Sequence, residues 1–133
     1  MKWTPPWEGS FPAVKIFGNL YFVGTKPAST HIIDTGEGLI LIDTGYFNTL
    51  YLVINSIYKL GFDPKDIRYI VNSHWHDDHT GGTKALAELS GAETLIGRYD
   101  AEKAKRYFDA DLLGLMELQA SPHYSQFSPN LNM

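Results

Sequence analysis

The sequence contains no cysteine, which excludes disulfide bonds and thiolate metal ligands. It also has no apolar run that reaches the roughly 18 residues of a membrane-spanning helix. Basic residues are scattered, and 11 Lys and Arg against 15 Asp and Glu give a net charge of −4. Because binding to phosphate groups needs a basic stripe, this balance argues against a nucleic-acid partner. The absences favour a protein that acts neither within a membrane nor on nucleic acid.

The two ends of the chain are predicted to lie outside the folded unit. Residues 1–12 are rich in Pro, Trp and Gly, which favours an extended arm. They lack the apolar run of a signal peptide, so we expect a cytoplasmic protein, or a periplasmic or secreted one whose signal was removed. Residues 111–133 lose hydrophobic periodicity and have no charge after Glu117, which predicts an irregular tail. Residues 13–110 remain as one folded unit.

The first half of this unit has the pattern of short β-strands. Gly18 with Asn19, and residues 36–38, are turn sequences that predict antiparallel hairpins. The run LILI at 39–42 is apolar throughout, as expected for a strand covered on both faces. The predicted strands lie at 13–17, 20–24, 29–36 and 38–45.

The second half alternates between helix and strand patterns. At 49–60 apolar residues recur every three or four positions, which predicts an amphipathic helix that ends at Gly61. Because this helix separates the strand at 38–45 from a strand at 66–73, the two should be parallel. A last helix should start at an Asp100 cap and run through Phe108; its buried side should include Ala101, Ala104, Tyr107 and Phe108. Between the strand at 66–73 and this last helix, we expect a helix at 83–89 and a strand at 93–97. The predicted fold class is α/β, a mixed sheet with helices.

The sequence NSHWHDDHTGG, residues 72–82, contains three of the five histidines of the chain. His74 and His76 are two residues apart, so in an extended segment both imidazoles can reach one ion. Asp78 and His79 follow and can bind a second ion after a turn, whereas Asp77 should point away. Four such donors directly after a buried strand favour a metal site over a polar loop. Imidazole and carboxylate ligands suit zinc, with iron and manganese as alternatives.

Two further residues have more than one interpretation. Asp43 ends one parallel strand, at the edge where the motif ends the next, and ligands gather at such edges. Its carboxylate would support a metal-binding histidine by a hydrogen bond, or would cap the turn at 43–45. His31 lies inside a strand, where a structural role is the expectation.

The motif HWHDDH at 74–79, together with GLILIDTG at 38–45, resembles the metallo-β-lactamase superfamily. The sequences FGNLYFVGT at 17–25 and LGFDPKDIRYIVNSHWHDDHTGG at 60–82 are more similar to one branch of it. This branch comprises the class B β-lactamases whose two zinc sites use only His and Asp. His79 at the last motif position supports that choice, because other lactamase branches have Arg, Ser or Asn there. The resemblance runs from residue 11 to about residue 110 and implies the N-terminal half of an αβ/βα sandwich.

The resemblance also implies a function, zinc-dependent hydrolysis in which metal-activated water opens a β-lactam amide. His74 and His76 would bind the first zinc, Asp78 and His79 the second, and Asp43 would support them. Asp78 would also act in catalysis by orienting the water. Alternatives within the superfamily are a lactonase, a thioesterase or an iron dioxygenase. An alternative of another class is a non-catalytic fragment.

The number of ligands is incomplete, since two sites with three protein ligands each need six donors and the motif supplies four. In the family the others are histidines further downstream. His123, in ASPHYSQFS, is the weaker remaining candidate; its surroundings resemble the family's Thr-Pro-Gly-His segment without the glycine. We therefore expect a chain truncated near the middle of the fold. Because one apolar sheet face would then stay open, we also expect a homodimer.

Overall fold

The structure is a computed structural model, and it describes residues 5–107. Its centre is one six-stranded sheet in the order β1-β2-β3-β4-β5-β6. The strands are β1 Val14–Phe17, β2 Leu20–Phe22, β3 His31–Asp34, β4 Leu39–Ile42, β5 Ile67–Val71 and β6 Glu93–Leu95. The α-helices are α1 Leu50–Lys59, α2 Asp77–Thr80, α3 Thr83–Ser90 and α4 Arg98–Tyr107. Short 3-10 turns lie at Pro6–Gly9, Phe47–Thr49 and Pro64–Asp66.

The sheet is mixed, as predicted. Strands β1 to β4 pair antiparallel through consecutive hairpins, while β4 pairs parallel with β5 and β5 pairs parallel with β6. Helix α1 connects β4 to β5, and α3 lies between β5 and β6 in the chain. The parallel pairing that the intervening helix predicted is therefore present, and it brings the carboxyl ends of β4 and β5 to the same edge.

Strands β3 and β4 are shorter than the sequence predicted. Beyond β3, the Asp34 carboxylate accepts a hydrogen bond from the Gly36 N–H at 3.0 Å, which closes a turn. Beyond β4, Asp43 has a φ of +62°, which ends the extended conformation. The predicted extended arm is also interrupted, because Pro6–Gly9 form a single 3-10 turn.

The core lies on one face of the sheet. Ile32, Leu41 and Ile70 are fully buried and occupy paired positions across β3, β4 and β5. Helices α1 and α3 cover them with Ile57 and Leu86, which are also fully buried. Burial of apolar side chains on this face is the main stabilising contribution, at about 25 cal/mol per Å².

The buried face and the end of α1 follow from its sequence. Its apolar residues form a stripe at helical spacing, with Val53 and Ile57 on the core side. At its end the Gly61 N–H donates to the Tyr58 carbonyl at 2.9 Å, and the Phe62 N–H donates to the Ile57 carbonyl at 3.1 Å. This is a Schellman motif, and Gly61 supplies its left-handed residue at a φ of +86°.

The opposite face of the sheet is less covered than expected for β4. Ile40 and Ile42 are only partly buried, and Val14 at the sheet edge is 45% exposed. The prediction of a strand covered on both faces is therefore wrong for the part of the chain that the structure describes. The LILI run is apolar on both faces, but α1 and α3 pack on one.

Helix α4 begins two residues earlier than predicted. Asp100 lies in its first turn and not at its N-cap, and the Asp100 carboxylate accepts a hydrogen bond from the motif instead. Ala101 and Ala104 are buried as predicted, whereas the side chains of Tyr107 and Phe108 fall outside the described residues. Over residues 5–107, every helix is too short or too polar to cross a membrane.

Candidate metal centre

The motif begins where β5 ends, next to the end of β4. Asp43 follows β4 directly, and Ser73 to His76 form a loop after β5 that leads into α2. The sequence did not predict α2, because a helix of four residues is too short to show a helical period. The short helix places Asp78 and His79 back towards the loop histidines. The polar side chains of two neighbouring strand ends thus meet at one edge of the sheet.

Three of the predicted ligands form one cluster. His74, His76 and Asp78 each offer a ligand atom, and these atoms all lie within 4.8 Å of one another. His74 and Asp78 are partly buried, while His76 is exposed. In a tetrahedral zinc site with metal–nitrogen bonds of about 2.0–2.1 Å, neighbouring ligand atoms are about 3.3 Å apart. Small side-chain rotations would bring this set to that spacing, so the residues fit zinc.

His79 joins the cluster through Asp78. Its Nε2 atom lies 3.4 Å from Oδ2 of Asp78, close to the spacing of two ligands on one zinc. Its ring centroid is 4.1 Å from that of His74. Asp78 is therefore close both to the His74–His76 pair and to His79. The sequence assigned Asp78 to a second ion with His79, and in the structure it is within reach of both groups.

The Asp43 carboxylate contacts the motif from the end of the neighbouring strand β4. Its Oδ1 accepts a hydrogen bond from the Ser73 N–H at 2.7 Å, and its Oδ2 accepts one from the Ser73 hydroxyl at 2.7 Å. Oδ2 also lies 2.9 Å from Nδ1 of His79. A carboxylate has no proton to donate, so Nδ1 of His79 must be the donor. Both oxygens of Asp43 thus bond to the segment that carries the ligands.

These contacts select the tautomers of two histidines. Because the Ser73 hydroxyl gives its proton to Asp43, its oxygen accepts from Nδ1 of His74, which lies 2.9 Å away. His74 and His79 therefore both hold a proton on Nδ1, and Nε2 is the ring nitrogen left to bind a metal. In His79 the Nε2 atom lies 3.4 Å from Oδ2 of Asp78, so a cation held between them would contact both groups.

A buried polar network supports the motif from the sheet side. The Thr44 hydroxyl lies 3.1 Å from that of Thr83 and accepts a hydrogen bond from the Gly82 N–H at 3.0 Å. Thr83 donates to the Asn72 side-chain oxygen at 2.7 Å. The Thr44 N–H also donates to the His79 carbonyl at 2.9 Å, which fixes the backbone of a predicted ligand. Thr and Asn are common polar residues, so no local pattern indicates this role.

The two glycines at the end of the motif are needed because neighbouring segments approach them closely. Gly81 and Gly82 have φ values of −61° and −99°, which any residue can adopt. A Cβ on Gly81, however, would lie 2.8 Å from the carbonyl oxygens of Asp77 and Gly45. A Cβ on Gly82 would lie 2.7 Å from the Leu50 side chain. The glycines permit close backbone approach between α2 and the loop after β4, not an unusual conformation.

Two other candidates, Asp77 and His31, lie apart from the cluster. Asp77 is exposed at the start of α2. His31 is in β3, where its ring packs edge-on against Phe22 with centroids 5.4 Å apart. His123 lies outside the described residues.

Residues 23–124 match the family model of the metallo-beta-lactamase superfamily. The chain belongs to this superfamily. A solved subclass B3 metallo-beta-lactamase of Bradyrhizobium japonicum is 36% identical with a TM-score of 0.70, and the match covers 73% of this chain and 37% of that one. For the GOB-18 metallo-beta-lactamase of Elizabethkingia meningoseptica the values are 31% identity and a TM-score of 0.71, over 77% and 38% of the two chains. The predicted α/β fold and its resemblance to class B β-lactamases are confirmed.

Curated relatives of this metallo-β-lactamase superfamily chain include enzymes named for a different activity. An N-acyl homoserine lactonase from Agrobacterium fabrum is 32% identical, with 63% of this chain and 36% of the relative covered. One from a Bacillus species is 30% identical, over 45% of this chain and 33% of the relative. The chain spans about a third of the length of these relatives. Lactamases and lactonases are both hydrolases, so the enzyme class predicted from the sequence is supported at that level.

Proposed function

We propose that this chain carries the zinc-binding part of a β-lactam hydrolase of the class whose sites use only His and Asp. The observation that supports the proposal most is the combination of four clustered donors with 31 to 36% identity to solved β-lactamases. Zinc is the metal proposed, because imidazole and carboxylate ligands at this spacing suit it. Iron and manganese are the alternatives that the ligand types also permit.

The residues of the site would have three different roles: holding the zinc, orienting the water and positioning the histidines. His74, His76, Asp78 and His79 would hold the zinc, which when bound supplies a Lewis acid for the substrate carbonyl and a nucleophilic water at neutral pH. Asp78 would orient that water by accepting a hydrogen bond from it, in addition to being a ligand. Asp43 would keep the protons of His74 and His79 on Nδ1, so that each Nε2 stays available. Water would be the nucleophile, so no protein side chain has to attack the substrate.

A lactonase is the second candidate, and the curated relatives favour it. Both reactions add water to a carbonyl of a ring, and they differ in whether an amide or an ester bond breaks. The test is turnover of nitrocefin and of an N-acyl homoserine lactone by the zinc-loaded full chain, with His76→Ala as the control. Faster nitrocefin turnover, lost in His76→Ala, would support the β-lactamase. Lactone turnover alone would favour the lactonase, and zinc binding without either turnover would leave the non-catalytic fragment.

We also propose that a second copy of the chain covers the less buried sheet face. Val14, Phe22, Ile42 and Val71 lie in one row of paired positions across this face, with His31 between Phe22 and Ile42, and each remains partly exposed. Apolar patches of this kind are typical of interaction surfaces. Sedimentation velocity should show a dimer that Val14→Glu weakens, whereas a compact monomer would contradict the homodimer. His123 remains a proposed further ligand, for which His123→Ala should lower the zinc content.

A further inference from the structure

We propose that Asp100 and Thr80 hold the backbone N–H and the carbonyl of Trp75 and thereby fix the directions of the two histidines on either side of it. The Trp75 N–H donates to Oδ1 of Asp100 at 3.2 Å. On the other side, the Thr80 hydroxyl lies 3.2 Å from the Trp75 carbonyl and 3.0 Å from that of His76. Asp100 comes from α4 and Thr80 from α2, so two elements hold the two successive peptide groups on either side of the Trp75 Cα. The inference rests on the proposed zinc site.

The backbone of Trp75 matters because this residue lies between the predicted ligands His74 and His76. Residues 73–76 belong to neither a helix nor a strand, so no regular ladder of backbone hydrogen bonds fixes them. A rotation of the Trp75 backbone would turn the two imidazoles away from a common point, since their relative direction depends on its φ and ψ. The Asp100 side chain anchors this segment because its oxygen accepts a hydrogen bond from the Trp75 N–H.

The Trp75 side chain is held by the same helix. It packs against a small buried cluster that consists of Ile96, Ala101 and Ala104. Its ring also contacts that of His76, with centroids 4.6 Å apart at an angle of 65°. Helix α4 therefore contacts both the backbone and the ring of Trp75. We assign to Asp100 and Thr80 the role of positioning residues, which act on the metal through the loop and not by direct contact.

The test measures the zinc affinity of the full chain by competition with a chelator, together with thermal unfolding without metal. Asp100→Ala removes the acceptor, and we expect its zinc affinity to fall by about tenfold or more, as is typical for groups that orient ligands. Asp100→Asn keeps an oxygen that can accept from the Trp75 N–H, so it should bind zinc almost as the wild type does. Thr80→Val should also bind more weakly. Glu102→Ala removes an exposed carboxylate of the same helix and serves as the matched control, with unchanged affinity.

Several results would overturn the proposal. The first is an unchanged zinc affinity in Asp100→Ala, or in Thr80→Val if Asp100→Ala does not fold. The second is an equal loss in Asp100→Asn and Asp100→Ala, because that would assign the effect to negative charge in the first turn of α4. A wild-type chain that binds no zinc would refute the proposed zinc site and the inference with it. Zinc binding by the wild type with no effect of these substitutions would refute the inference alone.

Discussion

Substitution of Asp43 by Asn tests how the site keeps its histidines ready for a metal. Asn has nearly the same shape as Asp and tolerates the left-handed conformation at this position, where φ is +62°. Its amide oxygen can still accept from the Ser73 N–H, but an NH₂ group then faces the Ser73 hydroxyl and Nδ1 of His79. His79 would have to accept at Nδ1 and carry its proton on Nε2, where the metal should bind.

The expected magnitude follows from this reversal. Loss of a group that orients a metal ligand typically weakens metal binding by about 10- to 100-fold, which corresponds to about 1.4–2.8 kcal/mol. The metal-free chain should lose less, about 1 kcal/mol or below, because in it His79 and Ser73 can reverse their hydrogen bonds. The signature is therefore a fall in zinc affinity without a comparable fall in the stability of the metal-free protein.

The assay is zinc titration against a competing chelator, paired with urea denaturation of the metal-free chain. Asp77→Asn is the matched control, since it removes the same charge from an exposed position of the motif and should leave zinc affinity nearly unchanged. Equal zinc affinity in Asp43→Asn and the wild type would refute the reasoning. So would an equal loss in the two variants, because net charge and not tautomer selection would then explain it.

Further predictions concern stability and can be checked by urea denaturation. Gly81→Ala would place a Cβ 2.8 Å from the carbonyl oxygens of Asp77 and Gly45, and should lower the free energy of unfolding by about 1–3 kcal/mol. Unchanged stability would show that the close approach does not exist. Ile70→Ala removes a fully buried core side chain and should cost about 2–5 kcal/mol, whereas a loss typical of surface positions would contradict the packing on that face. Thr83→Val removes the hydroxyl that bonds to the buried side chains of Thr44 and Asn72, and should lower the free energy of unfolding by about 1–3 kcal/mol. An unchanged denaturation midpoint would argue against the network.

Much of the fold could be predicted because its signals are local. The spacing of apolar residues marks α1, and Gly61 marks its end. A helix between two strands implies their parallel pairing, which in turn places Asp43 beside the motif. The motif itself is a run of consecutive residues, so its histidines and aspartates could be recognised without any knowledge of the fold.

The rest could not be predicted because it depends on contacts between distant residues. Ser73 meets Asp43 across 30 positions of sequence, and Trp75 meets Asp100 across 25. Asp100 looked like a helix cap, which is the local use of an aspartate before a helical pattern. Only the packing of α4 against the loop shows that the Asp100 carboxylate accepts a hydrogen bond from the Trp75 N–H. The reason for Gly81 is likewise a close approach between two segments, which no local pattern contains.

The most direct test of the account is the amount of zinc that the full chain retains after equilibrium dialysis, measured by elemental analysis. The wild type is compared with the double variant His74→Ala/His76→Ala. We predict that the wild type retains zinc in stoichiometric amount and that the double variant loses most of it. Equal zinc content in the two proteins, or none in either, would contradict the assignment of residues 74–79 as a metal centre.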